Sequence, residues 1–272
     1  GLAARIDFFL AESARTLRDQ TVHTDATQKL EERISHEPLG VIANISAWNY
    51  PYFVGGNVIV PALVAGNAVL YKPSEFATLT GMAIADMLHA SGVPEDVFVA
   101  TIGDGTTGYA LLRQPVDGIF FTGSLATGTK IAAAASKRMV KVQLELGGKD
   151  PIYVCEDADI AVVAAALADG AFYNTGQSCC SVERIYVNAA IYDAVVAAFV
   201  AEVRQFKVGD PMDPTVMVGP VINKAAVERI TGMFDRAKAD GAATFLLGGG
   251  RCGGEFAEGN FIEPTLIVDR SE

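Results

Sequence analysis

Cys179 lies in Gly176-Gln177-Ser178-Cys179-Cys180, between an apolar helical stretch and a strand-like run. Glycine and glutamine before a cysteine suit a tight turn that exposes the thiol. A thiol becomes a nucleophile when its pKa is lowered or a base stands near it; otherwise cysteine packs as a small buried apolar residue. A cysteine hydrolase would need a histidine, and His23, His36 and His89 lie far from the cysteines in sequence. Glu145 stands between Leu144 and Leu146, just before Gly147-Gly148-Lys149. Burial at a strand end would raise its pKa into the range of a general base; the alternative is an exposed acid paired with Lys149. Asn49, in Trp48-Asn49-Tyr50-Pro51, follows a predicted strand. Its amide could donate to a developing oxyanion, or it could be a turn residue before proline.

Two glycine loops could receive a nucleotide. Gly103-Asp104-Gly105-Thr106-Thr107-Gly108 fits the dinucleotide template of spaced glycines between strand and helix. The acid expected some twenty residues later is missing, so a plain strand-to-helix turn is an equal reading. The second loop, Thr122-Gly123-Ser124, leads from Phe120-Phe121 into a helix containing Gly128. Its backbone N–H groups and the Ser124 hydroxyl could hold a diphosphate, or Ser124 could simply cap the helix. Tyr71-Lys72-Pro73-Ser74-Glu75 ends another strand. There an acid can accept from ribose hydroxyls and Lys72 can donate to the same sugar; the alternative is a solvated charge pair.

Positioning these groups requires an alternating framework. Strands are predicted over 40–46, 68–72, 97–102, 118–122 and 140–146, with helices over 52–65, 78–90 and 126–136 and a short helical piece before Pro115. This rhythm predicts an α/β fold: a Rossmann-like parallel sheet with helices on both faces, plus part of a second α/β catalytic domain. Runs such as Val97-Phe98-Val99-Ala100 suit strands buried on both sides. A helix over 159–173, a strand over 182–187 and a late helix with Val227, Ile230, Phe234 and Ala237 on one face follow. Gly248-Gly249-Gly250 marks a loop and 261–268 a strand-like run. A domain change near Gly147-Gly148 predicts most of a dinucleotide-binding domain over 1–147 and the N-terminal part of a catalytic domain over 148–272.

Hydrophobic residues make up 50% and charged residues 19% of the 272 residues, which excludes disorder. A net charge of −11 argues against binding nucleic acid or an anionic membrane through bulk charge. The most apolar stretch, Val58 to Tyr71, is broken by Pro61, Gly66 and Asn67 and is too short to span a bilayer. Four cysteines without a CxxC pair make neither a disulfide framework nor a zinc site, so no metal is expected. The reducing cytoplasm is the expected compartment. The chain does not begin with methionine and both ends fall beside regular patterns, so a fragment of a longer chain is expected.

Taken in order, Trp48-Asn49-Tyr50-Pro51, Lys72-Pro73-Ser74-Glu75, Phe121-Thr122-Gly123-Ser124, Glu145-Leu146-Gly147-Gly148-Lys149 and Gly176-Gln177-Ser178-Cys179 resemble the NAD(P)-dependent aldehyde dehydrogenase superfamily. The resemblance implies that Cys179, not Cys180, attacks an aldehyde carbonyl to give a thiohemiacetal. Asn49 and the Cys179 backbone N–H would hold the oxyanion, and hydride would pass to the nicotinamide, leaving a thioester. Glu145 would then activate water to release a carboxylic acid. The implied cofactor is NAD, with NADP admitted. Its contacts would come from Ile45, Ser46, Ala47 and Trp48 after the first sheet strand, and from Lys72, Ser74 and Glu75 around the ribose. Gly105 and Gly108 would flank the adenosine. Phe121, Thr122, Gly123, Ser124 and Thr127 would form the second glycine loop, with Ser124 at the diphosphate, and Leu146 and Gly147 would follow the acid. A homo-oligomeric parent enzyme is implied.

Two departures stand out. Ala47 occupies a place where the family often has proline, and family chains extend well beyond both ends. The missing downstream part normally supplies a nicotinamide-ribose contact and much of the substrate funnel, so the isolated chain is expected to turn over weakly or not at all. The alternatives are therefore a catalytically silent dinucleotide-binding fragment of such an enzyme, or a CoA-acylating relative, against which Glu145 argues. Glu75 beside the ribose should repel a 2′-phosphate and favour NAD.

Overall fold

Alternating apolar runs of five or six residues and longer helical stretches build a parallel sheet in the computed structural model, which describes residues 1–241 and 243–269. The chain divides into one compact unit over Gly1–Leu146 and a second from Gly147 onward.

The first unit opens with α1 (Leu2–Thr16) and an antiparallel pair, β1 (Gln20–Asp25) and β2 (Leu30–Ile34). There follow β3 (Val41–Ile45), α2 (Pro51–Val64), β4 (Ala68–Lys72), α3 (Thr78–Ala90), β5 (Phe98–Ala100), α4 (Gly105–Leu111), β6 (Gly118–Gly123), α5 (Leu125–Ser136) and β7 (Lys141–Leu146). Pro51 opens α2, where its missing N–H costs nothing and its fixed φ suits the first turn. The five strands from β3 onward form one parallel sheet in the order β5-β4-β3-β6-β7.

Both sheet faces are covered, which is why the strands read as continuous apolar runs. On one face Ile42, Val69, Tyr71 and Phe98 pack with Ile59 and Ala62 of α2 and with Ile84 and Ala85 of α3. On the other, Ala43, Ile45, Ile119 and Phe121 pack with Leu111 and Leu112 at α4 and with Ile131 and Ala135 of α5. Each large side chain so buried contributes about 1.5–3 kcal/mol.

The second unit holds β8 (Asp150–Val154), α6 (Ile160–Phe172), β9 (Val182–Val187), α7 (Tyr192–Val203), α8 (Lys224–Asp240), β10 (Ala243–Leu247) and β11 (Leu266–Asp269). β8 and β9 pair in parallel across α6, and β10 pairs antiparallel with β11. Asp159 caps α6 by accepting from the N–H groups of Ala161 and Val162 at 3.0 and 3.1 Å. Val154, Leu167, Ala168, Val195, Phe199 and Val203 make one core; Val221, Val227, Phe234 and Ile262 make another. Asn223 caps α8, which ends at Gly241 with φ 74°, a left-handed stop that glycine adopts without strain.

The α/β class with its parallel sheet stands as the sequence implies. The expected strand over 97–102 is shorter, Phe98–Ala100. The expected run over 261–268 is divided: Ile262 bridges Arg251, and β11 starts only at Leu266, after Pro264, which has no N–H for a ladder. The hairpin β1–β2, and β8, α7 and β10, were not anticipated.

Candidate active site

Because β3 to β7 run in parallel, their carboxyl ends share one edge. The chain builds β3, β4 and β5 outward, then returns to place β6 on the other side of β3. The crevice at such a switch point is where open α/β sheets receive ligands. Register sets its residues: Ile45 pairs with Lys72 on one side and Phe121 on the other, Thr122 pairs with Glu145, and Gly123 with Leu146. The ends of β4 and β6 are thus two strand spacings apart, roughly 10 Å.

Ile45 and Ser46 are buried at the end of β3, where the Ser46 N–H donates to the Lys72 carbonyl at 3.0 Å. Ala47, Trp48 and Asn49 follow, all half-buried, in the connection to Pro51. Asn49 therefore stands at the switch point itself. At the end of β4, Lys72 is 4% exposed; its Nζ donates to the Pro73 carbonyl at 3.1 Å and to Glu75 Oε2 at 3.4 Å. Glu75 is more open. Ser74 is buried, and its hydroxyl accepts from the Phe76 N–H at 3.3 Å, turning the chain into a short 3-10 segment. The Lys72–Glu75 pair is thus a buried ammonium with a carboxylate at its mouth, rather than a solvated pair.

The two glycine loops differ in kind. At the first, Asp104 caps α4, its Oδ1 accepting from the Thr106 N–H at 2.9 Å, and these N–H bonds hold its carboxyl below the usual range. A carboxylate already occupies that helix start. Gly103 has φ 154°, and a side chain there would collide with Thr107. Gly105 starts α4, and Gly108 lies against the stem of Lys72, where a Cβ would stand 3.7 Å from its Cδ. At the second loop the cap is a neutral hydroxyl: Ser124 Oγ accepts from the Thr127 N–H at 3.3 Å and donates to Thr127 Oγ1 at 3.1 Å. Ser124 and Thr127 are exposed. Gly123 admits no side chain, since a Cβ would meet the Phe121 ring at 2.5 Å. Gly128 likewise lets α5 close onto Leu146, whose Cδ2 would be 2.6 Å from a Cβ.

Glu145 departs from expectation. It is exposed on the outer strand β7, and its Oε1 accepts from Gln143 Nε2 at 3.2 Å. β7 alternates exposed and half-buried residues because it is an edge strand, so flanking leucines do not bury the acid between them. Lys149, its suggested partner, donates to Glu183 at 2.6 Å within the second unit. Gly147 and Gly148 are exposed.

Cys179 belongs to the second unit, on the turn between α6 and β9. Both Cys179 and Cys180 are exposed as residues and neither is in a disulfide. The Tyr173 hydroxyl and Ser178 Oγ lie 2.5 Å apart, and each reaches Cys180 Sγ, at 3.4 and 3.3 Å. The Ser178 hydroxyl first, then that of Tyr173, holds the Cys180 thiol below its ordinary pKa. Partial desolvation, then the neighbouring Cys180, pushes the Cys179 thiol up. The two shifts run in opposite directions, and the thiol whose pKa is lowered is Cys180, not the implied nucleophile Cys179.

Sequence reasoning did not find Tyr173, Ser178 or the residues that hold this turn. Thr175 Oγ1 accepts from the Gly219 N–H at 3.1 Å and Gln177 Oε1 from the Ile222 N–H at 2.8 Å. Gln177 stands in the quoted cysteine motif, but its partner, some forty-five positions on, carries no local signal. A groove of about 750 Å3 in the second unit, lined by Phe172, Val195, Phe199, Met233 and Leu266 among others, contains none of the sequence-predicted site residues. Among the described residues no three His, Cys, Asp or Glu side chains gather as a metal site, and no helix is long and apolar enough to cross a membrane.

This ordered set, on a parallel sheet with a switch point, defines a family. The model of the aldehyde dehydrogenase family matches residues 2–272, and the chain belongs to that family. A betaine aldehyde dehydrogenase of Rhizobium johnstonii is 39% identical over 233 residues, which are 85% of this chain and 48% of that protein. Among solved structures, a Mycobacterium tuberculosis aldehyde dehydrogenase complexed with NAD+ superposes with a TM-score of 0.90 at 34% identity, covering 97% of this chain and 54% of that one. Lactaldehyde dehydrogenase from Escherichia coli superposes with a TM-score of 0.91 at 36% identity, covering 98% and 56%. The chain spans about half the length of the curated relatives it matches.

Proposed function

We propose that the protein to which this chain belongs oxidises an aldehyde to a carboxylic acid with NAD, through a covalent adduct on Cys179. The observation that carries the reading is the switch point. There the Asn49 connection follows β3 and the exposed start of α5 follows its neighbour β6, with the Lys72–Glu75 pair at the end of β4 on the other side of β3. The donor set fits a dinucleotide. The helix start at Ser124 takes the diphosphate, with Thr122, Gly123 and Thr127 shaping the loop, and Lys72 and Glu75 take the ribose hydroxyls. Ile45, Ser46, Ala47, Trp48 and Phe121 would line the approach between them, Gly105 and Gly108 would flank the adenosine, and Leu146 and Gly147 would add further contacts. A bound nicotinamide supplies the hydride acceptor.

The exposed Cys179 thiol passes its proton to solvent water as its sulfur forms the bond to the aldehyde carbon. The carbonyl oxygen becomes an oxyanion held by the Asn49 amide and the Cys179 backbone N–H. Loss of hydride from the carbon leaves an acyl thioester, and Glu145 removes a proton from the water that cleaves it, returning the thiol and releasing the acid. The accessibility of Glu145 suits a base that must meet water. Glu75 at the ribose repels a 2′-phosphate, so NAD is preferred to NADP. Four unpaired cysteines suit a reducing compartment, which we take to be the cytoplasm.

The full-length protein tests this. Cys179→Ala should lower aldehyde-dependent cofactor reduction at least roughly a thousandfold. Glu145→Gln should give a burst of reduced cofactor followed by a steady rate lowered about a hundredfold, with the acyl group found on Cys179 by mass spectrometry. Retained turnover in Cys179→Ala sinks the nucleophile, and a steady rate in Glu145→Gln that needs added CoA points to the acylating relative instead.

A further inference from the structure

We infer that Thr175 and Gln177 are positioning residues for the thiol at 179, a role that rests on Cys179 being the nucleophile. Three successive residues leading into the cysteine turn are left-handed: Asn174 with φ 51°, Thr175 with φ 59° and Gly176, the first residue of the motif, with φ 69°. Glycine adopts this region freely and asparagine tolerates it, but a β-branched threonine there is a true outlier. Such conformations persist only where the surroundings over-determine them, and they gather at functional turns.

The over-determination is visible on both sides of the run. Thr175 Oγ1 accepts from the Gly219 N–H at 3.1 Å, and Gln177 Oε1 accepts from the Ile222 N–H at 2.8 Å. Gln177 Nε2 returns to the Asn174 carbonyl at 3.3 Å, and Ser181, 2% exposed, donates to the Gly176 carbonyl at 3.1 Å. The receiving segment is itself fixed. Val218 and Val221 are buried, the Val221 N–H donates to the Asn260 carbonyl at 2.9 Å, and Asn223 caps α8. The turn that presents Cys179 is therefore hung from a packed segment by two side-chain acceptors. Releasing either lets the run relax toward the right-handed region and swings the residues that follow.

The test uses the full-length protein, with steady-state kinetics and the pH dependence of iodoacetamide alkylation at Cys179 resolved from Cys180 by fragment mass spectrometry. Thr175→Val keeps size and branching but removes the acceptor for Gly219; Thr175→Ser keeps the acceptor. Thr175→Val should lower kcat about tenfold while KM for the cofactor stays within about twofold, as expected for a displaced reacting atom. The alkylation midpoint of Cys179 should move down toward the ordinary cysteine range as water reaches the sulfur, and Thr175→Ser should restore both. An unchanged alkylation midpoint in folded Thr175→Val, or a loss of kcat that Thr175→Ser does not restore, overturns the inference. Gln177→Leu, which loses the bond to Ile222, carries the same expectation and refutation if Thr175→Val does not fold. An acyl group mapped to Cys180 removes the nucleophile assignment instead, and the Cys179 midpoint still decides whether the turn is clamped.

Discussion

The β3–β4 edge of the first unit and the cysteine turn of the second hold their polar groups in opposite ways. In the first, Ser46, Lys72 and Ser74 are 5%, 4% and 6% exposed, placed by the register of buried parallel strands. In the second, Cys179 and Cys180 are exposed on a turn that no ladder reaches, placed by side-chain bonds to a distant stretch of backbone. A sheet edge fixes a binding group through the same contacts that stabilise the fold. A turn fixes a reactive group through a few bonds that contribute little to stability, so its geometry can be lost without unfolding.

Cutting into each support in turn should sharpen that contrast. Phe98→Ala, at a fully buried position on β5 beside β4, should cost about 3–5 kcal/mol. Ser181→Ala, beneath the cysteine turn, should cost only about 1–2 kcal/mol, for one lost hydrogen bond. Urea unfolding followed by hydrogen exchange of each unit reads both, and equal costs would remove the distinction.

A smaller effect concerns the two thiols. The Ser178 and Tyr173 hydroxyls keep Cys180 ionised to lower pH, whereas desolvation and its neighbour delay ionisation of Cys179 to higher pH. Near neutral pH, iodoacetamide should therefore modify Cys180 ahead of Cys179 in the unliganded protein, and Cys179 should be the first to stop reacting as pH falls. Ser178→Ala should narrow the gap. Faster modification of Cys179 would mean that the hydroxyl pair does not govern the turn's chemistry.

The smallest effect belongs to the sheet edge. Glu75→Gln should reduce the preference for NAD over NADP by about fivefold, the size of one exposed charge interaction at contact distance. Rates with each cofactor measure it, and an unaltered ratio takes Glu75 out of the discrimination.

What was legible from sequence follows the same division. β4 and α3 fall at the residues expected because strands buried on both faces and their covering helices leave unbroken apolar patterns. The hairpin β1–β2 left none, since only Asp25 of its strand residues escapes full exposure and polar residues dominate it. α7 could have been found from Val195, Phe199 and Val203, spaced four apart and all buried. Among the motif residues, Lys72 ends β4, Ser124 caps α5 and Cys179 lies on the turn before β9, but Glu145 is exposed where burial was one of the readings: leucines on both sides of a residue in an edge strand point away from it. The clamp of Thr175 and Gln177 was out of reach, because its other half is backbone, which has no identity to read.

Lys72 also has a dynamic consequence. A lysine normally sweeps a wide cone, and stilling it on contact with a ligand carries an entropic cost of a kilocalorie or more. Here the stem is already enclosed, with the backbone of Gly108 beside its Cδ and the Pro73 carbonyl on its ammonium. Its freedom was surrendered during folding, so a sugar hydroxyl reaching this edge would meet a cation that is already stationary.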